Sequence, residues 1–289
     1  VDVPRCCSSH CFSRRLFRMA FGPLILLSPA KSLNFENALT SAIASCKPTQ
    51  ARFPEQAAEL TAALAKLSKP QIKSLMGLSD NLAALNFERF SHFEAQDARV
   101  AIGAFEGMAY KGLEAPSLAT GQLDYLQSNL RILCGLYGVL RPYDEIRPYR
   151  LEMSTKLAVG DAANLYKFWG DSLTTSLEAE LCSRPGSWLL NCASQEYAKA
   201  VSFDAITAPV VTASFPGPAV HAKQARGEIT RFCAEQKVSK PDEVRHQART
   251  GDCLIALGHP SDLTHCQPST AAQGIQRERG HVVVRGGCE

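Results

Sequence analysis

The sequence contains no CxxC pair, and no Cys/His cluster has the spacing of a zinc site. This holds although 11 of its 289 residues are cysteine. Cys6, Cys7 and Cys11 crowd the N-terminal end, and Cys253, Cys266 and Cys288 the C-terminal end. Cys46, Cys134, Cys182, Cys192 and Cys233 are scattered through the body. A domain of this length does not depend on a disulfide framework, so reduced thiols in a cytoplasmic setting are expected. Long apolar runs are also missing. The LILL run at Leu24–Leu27 suits a buried strand and is far too short to cross a bilayer, so no membrane partner is expected. Net charge is small, at +3, so a nucleic-acid partner would have to be held by a local patch. No internal repeat is present, and no metal or cofactor ligand set can be read.

What is there is a core-forming composition, 45% hydrophobic and 20% charged. Residues 1–18 stand apart, with Arg5, Arg14, Arg15 and Arg18 against Asp2 alone. They read either as an organelle transit peptide or as translated sequence upstream of Met19. Residues 19–244 read as one domain, and residues 245–289, poor in aromatics and without a period, as a loosely ordered tail. Within the domain, Leu24–Leu27, Arg99–Phe105, Ser187–Cys192 and Pro209–Ser214 suit strands. Helices are expected over Glu55–Leu67, after the S-x-x-Q box at Ser68–Gln71, through Leu82, Leu85 and Phe90, and over Leu123–Leu133, Leu165–Leu177 and His221–Gln236. Their irregular alternation points to a mixed α/β (α+β) fold.

Three segments carry polar chemistry. Ser28-Pro29-Ala30-Lys31 follows the first strand and has the signature of a helix start. Such a start at a strand's carboxyl end is either an anion site strengthened by Lys31 or a capped turn with a solvent lysine. Leu133–Met153, LCGLYGVLRPYDEIRPYRLEM, sets Arg141 and Arg147 before prolines, which bias both away from helix. Arginine on stiff backbone suits bidentate recognition of carboxylate or phosphate. These arginines, with Arg150, either line a pocket or form an internal ion-pair network with Asp144, Glu145 and Glu152. Ile72–Ala83 resembles a helix-hairpin-helix, with Gly77-Leu78-Ser79 as its turn. Lys69, Lys73, Gly77, Leu78, Ser79 and Asn81 are its candidate DNA contacts, made to phosphates and therefore independent of base sequence. Ser79 and Asp80 depart from the ideal motif, and an ordinary αα-hairpin fits the same residues. Cys192 reads as a buried thiol, and His221 as a weak acid–base candidate.

LILLSPAKSLNF, PQIKSLMGLSDNLAALNFERF, AFEGMAYKGL, LRILCGLYGVLRPYDEIRPYRLEM, LYKFWGD, LLNCASQEYAKAV and HAKQARGEITRF occur in that order. Together they resemble the YaaA peroxide-stress proteins from about Leu24 to Val244. The resemblance implies a single α/β domain of unusual topology and a cytosolic role in resisting hydrogen peroxide through lower free iron and less oxidative DNA damage. It also implies a DNA-binding hairpin that prefers duplex or distorted structures over a base sequence. Three features depart from the family: Met108 where an Asp is usual, no Phe- and Tyr-rich closing region after Val244, and the first 18 residues.

These features suit two functions of different class. One is a stress-response protein that holds DNA through its backbone. The alternative is an enzyme acting on a nucleotide or phosphorylated small molecule, with Ser28, Lys31, Arg141, Arg147, Arg150, Asn191, Lys223 and Arg226 converging on one anion-lined pocket.

Overall fold

The LILL run is fully buried and pairs on both sides, which is why it tolerates no polar residue. The computed structural model describes residues 21–215 and 218–245, so the N-terminal extension and nearly all of the tail lie outside the described residues. The strands are β1 (Leu24–Leu27), β2 (Ser32–Leu33), β3 (Arg99–Val100), β4 (Phe105–Glu106), β5 (Leu130–Cys134), β6 (Gly138–Leu140), β7 (Glu145–Ile146), β8 (Leu189–Asn191) and β9 (Val210–Thr212). The helices are α1 (Ser41–Ala44), α2 (Pro54–Ala65), α3 (Lys69–Met76), α4 (Asp80–Ser91), α5 (Ala101–Ala104), α6 (Met108–Leu113), α7 (Thr120–Asn129), α8 (Leu165–Trp169), α9 (Ser172–Cys182), α10 (Gln195–Ala198), α11 (Ala219–Gln236) and α12 (Pro241–Arg245). The fold is mixed α/β, as expected.

The main sheet runs β6-β5-β1-β8-β9. β5, β1, β8 and β9 are parallel, and β6 returns antiparallel to β5. From β1 the chain passes to β5 on one side, then reaches β8 on the other. The order therefore reverses at the β1/β8 boundary, where open parallel sheets place their ligands, at the carboxyl ends of the strands. Short antiparallel ribbons, β2 with β4 and β3 with β7, tie the loops after β1 and β6 to the α5–α6 region.

Several sequence expectations are corrected. Leu123–Leu133 is not one helix: α7 stops at Asn129 and β5 follows, because LRILC completes the sheet between β1 and β6. Arg99–Phe105 is not one strand. After β3 the chain makes one helical turn, in which Ala101 and Ile102 donate N–H bonds to the Asp144 and Pro142 carbonyls. The expected Leu165–Leu177 helix divides at Gly170 into α8 and α9. No helix starts at Ser28, because its hydroxyl bonds Ser194 in the loop after β8. On α4, Leu82 and Leu85 are exposed, and Ala83, Asn86 and Phe90 face the core.

Two packing devices hold the helices around the sheet. Arg131 in β5 is buried, and its guanidinium grips Glu180 of α9, to which Arg52 also pairs. Burial pushes the Glu180 carboxyl up, but the Arg131 and Arg52 guanidinia more than offset this and hold it below the usual carboxylate value. Separately, α6 and α11 cross at Gly112 and Gly227. A Cβ on Gly227 would lie 1.7 Å from the Ala109 carbonyl oxygen, and one on Gly112 would lie 2.2 Å from that of Gln224. Only glycine allows this approach, which fixes α11 over the sheet.

Candidate functional site

At the carboxyl end of β1, the Ser28 hydroxyl accepts the Ser194 N–H (2.8 Å) and bonds the Ser194 hydroxyl (3.2 Å). This links the loops after β1 and β8 at the point where strand order reverses. The Ser28 carbonyl accepts the Tyr110 hydroxyl of α6 (3.2 Å). Beneath lie Cys134, which shares a hydrogen bond with the Tyr149 hydroxyl (2.8 Å), and Tyr137, which stands edge-on to Tyr149. Burial pushes the Tyr110, Tyr149 and Tyr197 hydroxyls upward and the Cys134 thiol up to about 11. All four groups are therefore neutral near pH 7, and Cys134 is not a thiolate nucleophile.

The nominated cations divide. Lys31 pairs with Glu152 (2.7 Å), and Arg150 pairs with the other oxygen of the same carboxylate (3.2 Å). Asn191, at the end of β8, accepts the Ala193 N–H (3.0 Å), while its amide donor reaches Thr212 Oγ1 only at 3.5 Å. Arg226 lies over the Phe215 ring (5.7 Å), near Cys192, and burial lowers its pKa. Ser28, Asn191 and Arg226 thus lie by the ends of β1, β8 and β9, and Lys31 and Arg150 are joined through Glu152.

Arg141 and Arg147 go elsewhere. Arg141 clamps the fully buried Asp144 (3.0 Å from Nε) and donates to the Gln50 carbonyl (3.0 Å). Thr49 donates to the same carboxylate at 2.6 Å. Arg147 pairs with Glu94 (3.3 Å). The ion-pair reading thus describes Arg141 with Asp144 and Arg150 with Glu152, while Arg147 finds Glu94 outside the stretch. Lys223 is an exposed side chain on α11, and Arg231, on the same helix, is tied to Glu235 and Glu114.

The hairpin forms as its local sequence dictates. Gln71 accepts the Ser68 N–H (2.8 Å) at the start of α3. Gly77 closes that helix in the left-handed conformation (φ 59°), and Ser79 caps α4 by accepting the Leu82 N–H (3.4 Å). Leu78 is buried in the turn, whereas Gly77, Ser79 and Asn81 are exposed. Lys73 pairs with Asp80 (2.7 Å) and Lys69 with Glu88 (3.2 Å), all at half-exposed or exposed positions.

A cavity of about 480 Å³ opens between the loop after β2 and the α5–α6 region, lined among others by Asn34, Arg99, Glu106, Tyr110 and Lys111. None of the eight nominated pocket residues lines it. Arg99 is spent on the Asn34, Phe35 and Asn37 carbonyls, so it shapes this loop instead of offering a free charge. Among the described residues, no group of three His, Cys, Asp or Glu side chains is placed to hold a metal ion. No helix there is long and apolar enough to cross a membrane.

Residues 24–251 match the family of the peroxide stress protein YaaA. The chain belongs to the YaaA family. Similar proteins include the UPF0246 protein of Burkholderia cenocepacia strain HI2424, 42% identical over 242 residues that cover 79% of this chain and 92% of the relative. Another is that of Burkholderia mallei strain SAVP1, 42% identical over 253 residues, with 83% and 96% covered. Met108 opens α6. The adjacent Gly107 abuts Ala30 of the loop after β1: a Cβ on it would lie 3.2 Å from that of Ala30. The start of α6 therefore borders the loop after β1.

Proposed function

We propose that this YaaA protein acts in the peroxide-stress response by holding duplex DNA through its phosphates, with the α3–α4 hairpin as the contact surface, and thereby limits iron-linked oxidative damage. The observation that carries the reading is the exposed start of α4. There the left-handed Gly77 ends one helix, Ser79 opens the next, and Lys73 and Lys69 flank the turn. Helix starts leave N–H groups without intrahelical acceptors and favour anions. Lys73 exchanges Asp80 for a phosphate oxygen in this reading. Such contacts fix the protein on the backbone and carry no base information.

The test is equilibrium binding of the wild type, Lys73→Glu and Gly77→Asp to a duplex across a salt series. Each variant should weaken binding about tenfold, and Lys73→Glu should lower the salt slope by about 1. Changing the duplex sequence should alter affinity little. Unchanged affinity in both variants, or wild-type binding insensitive to salt, overturns the proposal.

A further inference from the structure

The carboxyl end of the sheet holds cations that a hairpin-bound duplex does not use. Arg226 has a buried Nε with no acceptor among the described residues, and no carboxylate pairs with it there. Arg150 likewise leaves its Nε buried without an acceptor. A guanidinium N–H buried without an acceptor is costly, and an anion is the natural group to complete it. The acidic groups nearby do not suffice. Glu152 is shared between Lys31 and Arg150, and Glu196 accepts the Ser154 N–H (3.1 Å) and hydroxyl (2.8 Å). Lys31, Arg150 and Arg226 therefore stand against Glu152 and Glu196, a surplus of one positive charge. Asn191 adds an amide donor engaged only at 3.5 Å, and the Ser28 and Ser194 hydroxyls bridge the strand loops beside it.

We propose that the ends of β1, β8 and β9 form a binding site for a phosphate monoester, with Arg226 and Arg150 pairing its oxygens. Oxygen count sets the class. A phosphate monoester presents three terminal oxygens, enough for the forks of both arginines and the Asn191 amide, whereas a backbone phosphodiester or a carboxylate presents two. Arginine's planar fork suits this bidentate contact. The ligand is thus a small phosphorylated molecule or a terminal phosphate, distinct from the internal phosphates a duplex offers the hairpin.

The experiment uses the full chain and follows thermal unfolding and calorimetric binding with inorganic phosphate, adenosine monophosphate, a cyclic phosphodiester and a 5′-phosphorylated oligonucleotide. The monoester probes should raise Tm saturably, and the phosphodiester should bind at least about tenfold more weakly. A response to the oligonucleotide and not to adenosine monophosphate assigns the site to DNA ends, and the reverse assigns it to a metabolite. Arg226→Met should abolish the response while leaving the unliganded Tm equal or higher, since it removes an uncompensated charge. Arg150→Gln should weaken binding about tenfold if the Met variant does not fold. No response of the wild type to any monoester at millimolar concentration, or a response that survives both substitutions, overturns the proposal. Duplex affinity unchanged in Arg226→Met keeps this result separate from that of the hairpin.

Discussion

The α3–α4 hairpin and the carboxyl end of the sheet both present cations, but they acquire them differently. The hairpin's lysines are exposed, come from one short stretch of chain and are paired within it, Lys73 with Asp80 and Lys69 with Glu88. The sheet end draws on β1, the segment after β7, β8 and α11, and it buries the Nε of both Arg226 and Arg150. The first surface suits weak, salt-sensitive contact with a polyanion that is already solvated. The second has lost part of its water, at the two buried Nε atoms, and suits a specific anion. Buried and exposed charges of the same sign therefore serve different partners, because desolvation changes what an unpaired charge costs.

The core cluster at Glu180 gives the sharpest way to break this comparison. Glu180→Gln would leave the buried Arg131 without its counter-charge, a stronger version of the unpaired Arg226 Nε, and should cost about 3 kcal/mol or more in urea unfolding. A change under about 0.5 kcal/mol would show that a buried guanidinium here needs no counter-ion, and would remove the argument for a ligand at Arg226. The same substitution should flatten the acid side of the stability curve. The folded Glu180 carboxyl lies below its unfolded value, so its contribution is fully present above about pH 4.3 and is lost as pH falls through the lowered folded value.

Next in size is Gly227→Ala. Its Cβ would meet the Ala109 carbonyl, so α11 must shift from α6, at about 3 kcal/mol by overpacking. The phosphate response should fall with it, while hairpin binding to duplex DNA under native conditions should not. Gly77→Ala touches nothing within 4 Å, so its cost is the left-handed backbone alone, about 1 kcal/mol. It should leave the phosphate response intact. The smallest effect expected is on thiol chemistry. At neutral pH, mass spectrometry after brief alkylation should find Cys182 modified and the buried Cys134, Cys192 and Cys233 spared. Rapid labelling of Cys134 would contradict its upward-shifted pKa.

The hairpin was legible in the sequence because each of its parts is local: the Ser68–Gln71 box, the glycine at the helix end and the Ser79 cap. Its buried face was less so. Leu82 and Leu85 look like the core positions of α4, yet the smaller Ala83 and the polar Asn86 are buried, and the Asn86 amide donates to the Leu82 carbonyl at 2.8 Å. β1, β8 and β9 were legible as apolar runs. β5 was not, because Leu123, Leu126, Leu130 and Leu133 keep a helical period through the point where the chain turns into strand. Ser28 has the sequence neighbours of a helix cap, but its hydroxyl serves Ser194 instead. The roles of Ser194, Glu152 and Tyr110 at the site left no local signal, since each depends on a partner distant in the chain.

By itself the sequence determined the helix caps, the Gly77 turn, the apolar strands and the membership of the YaaA family, all of which rest on short-range residue patterns. Tertiary structure alone decided the destinations of the three arginines in the Leu133–Met153 stretch. Arg141 goes to the buried Asp144, Arg147 to Glu94, and Arg150 to the Glu152 that it shares with Lys31. A long side chain can reach many partners from one backbone position. Which partner it finds, and whether water remains around it, is set by which elements the sheet order brings alongside.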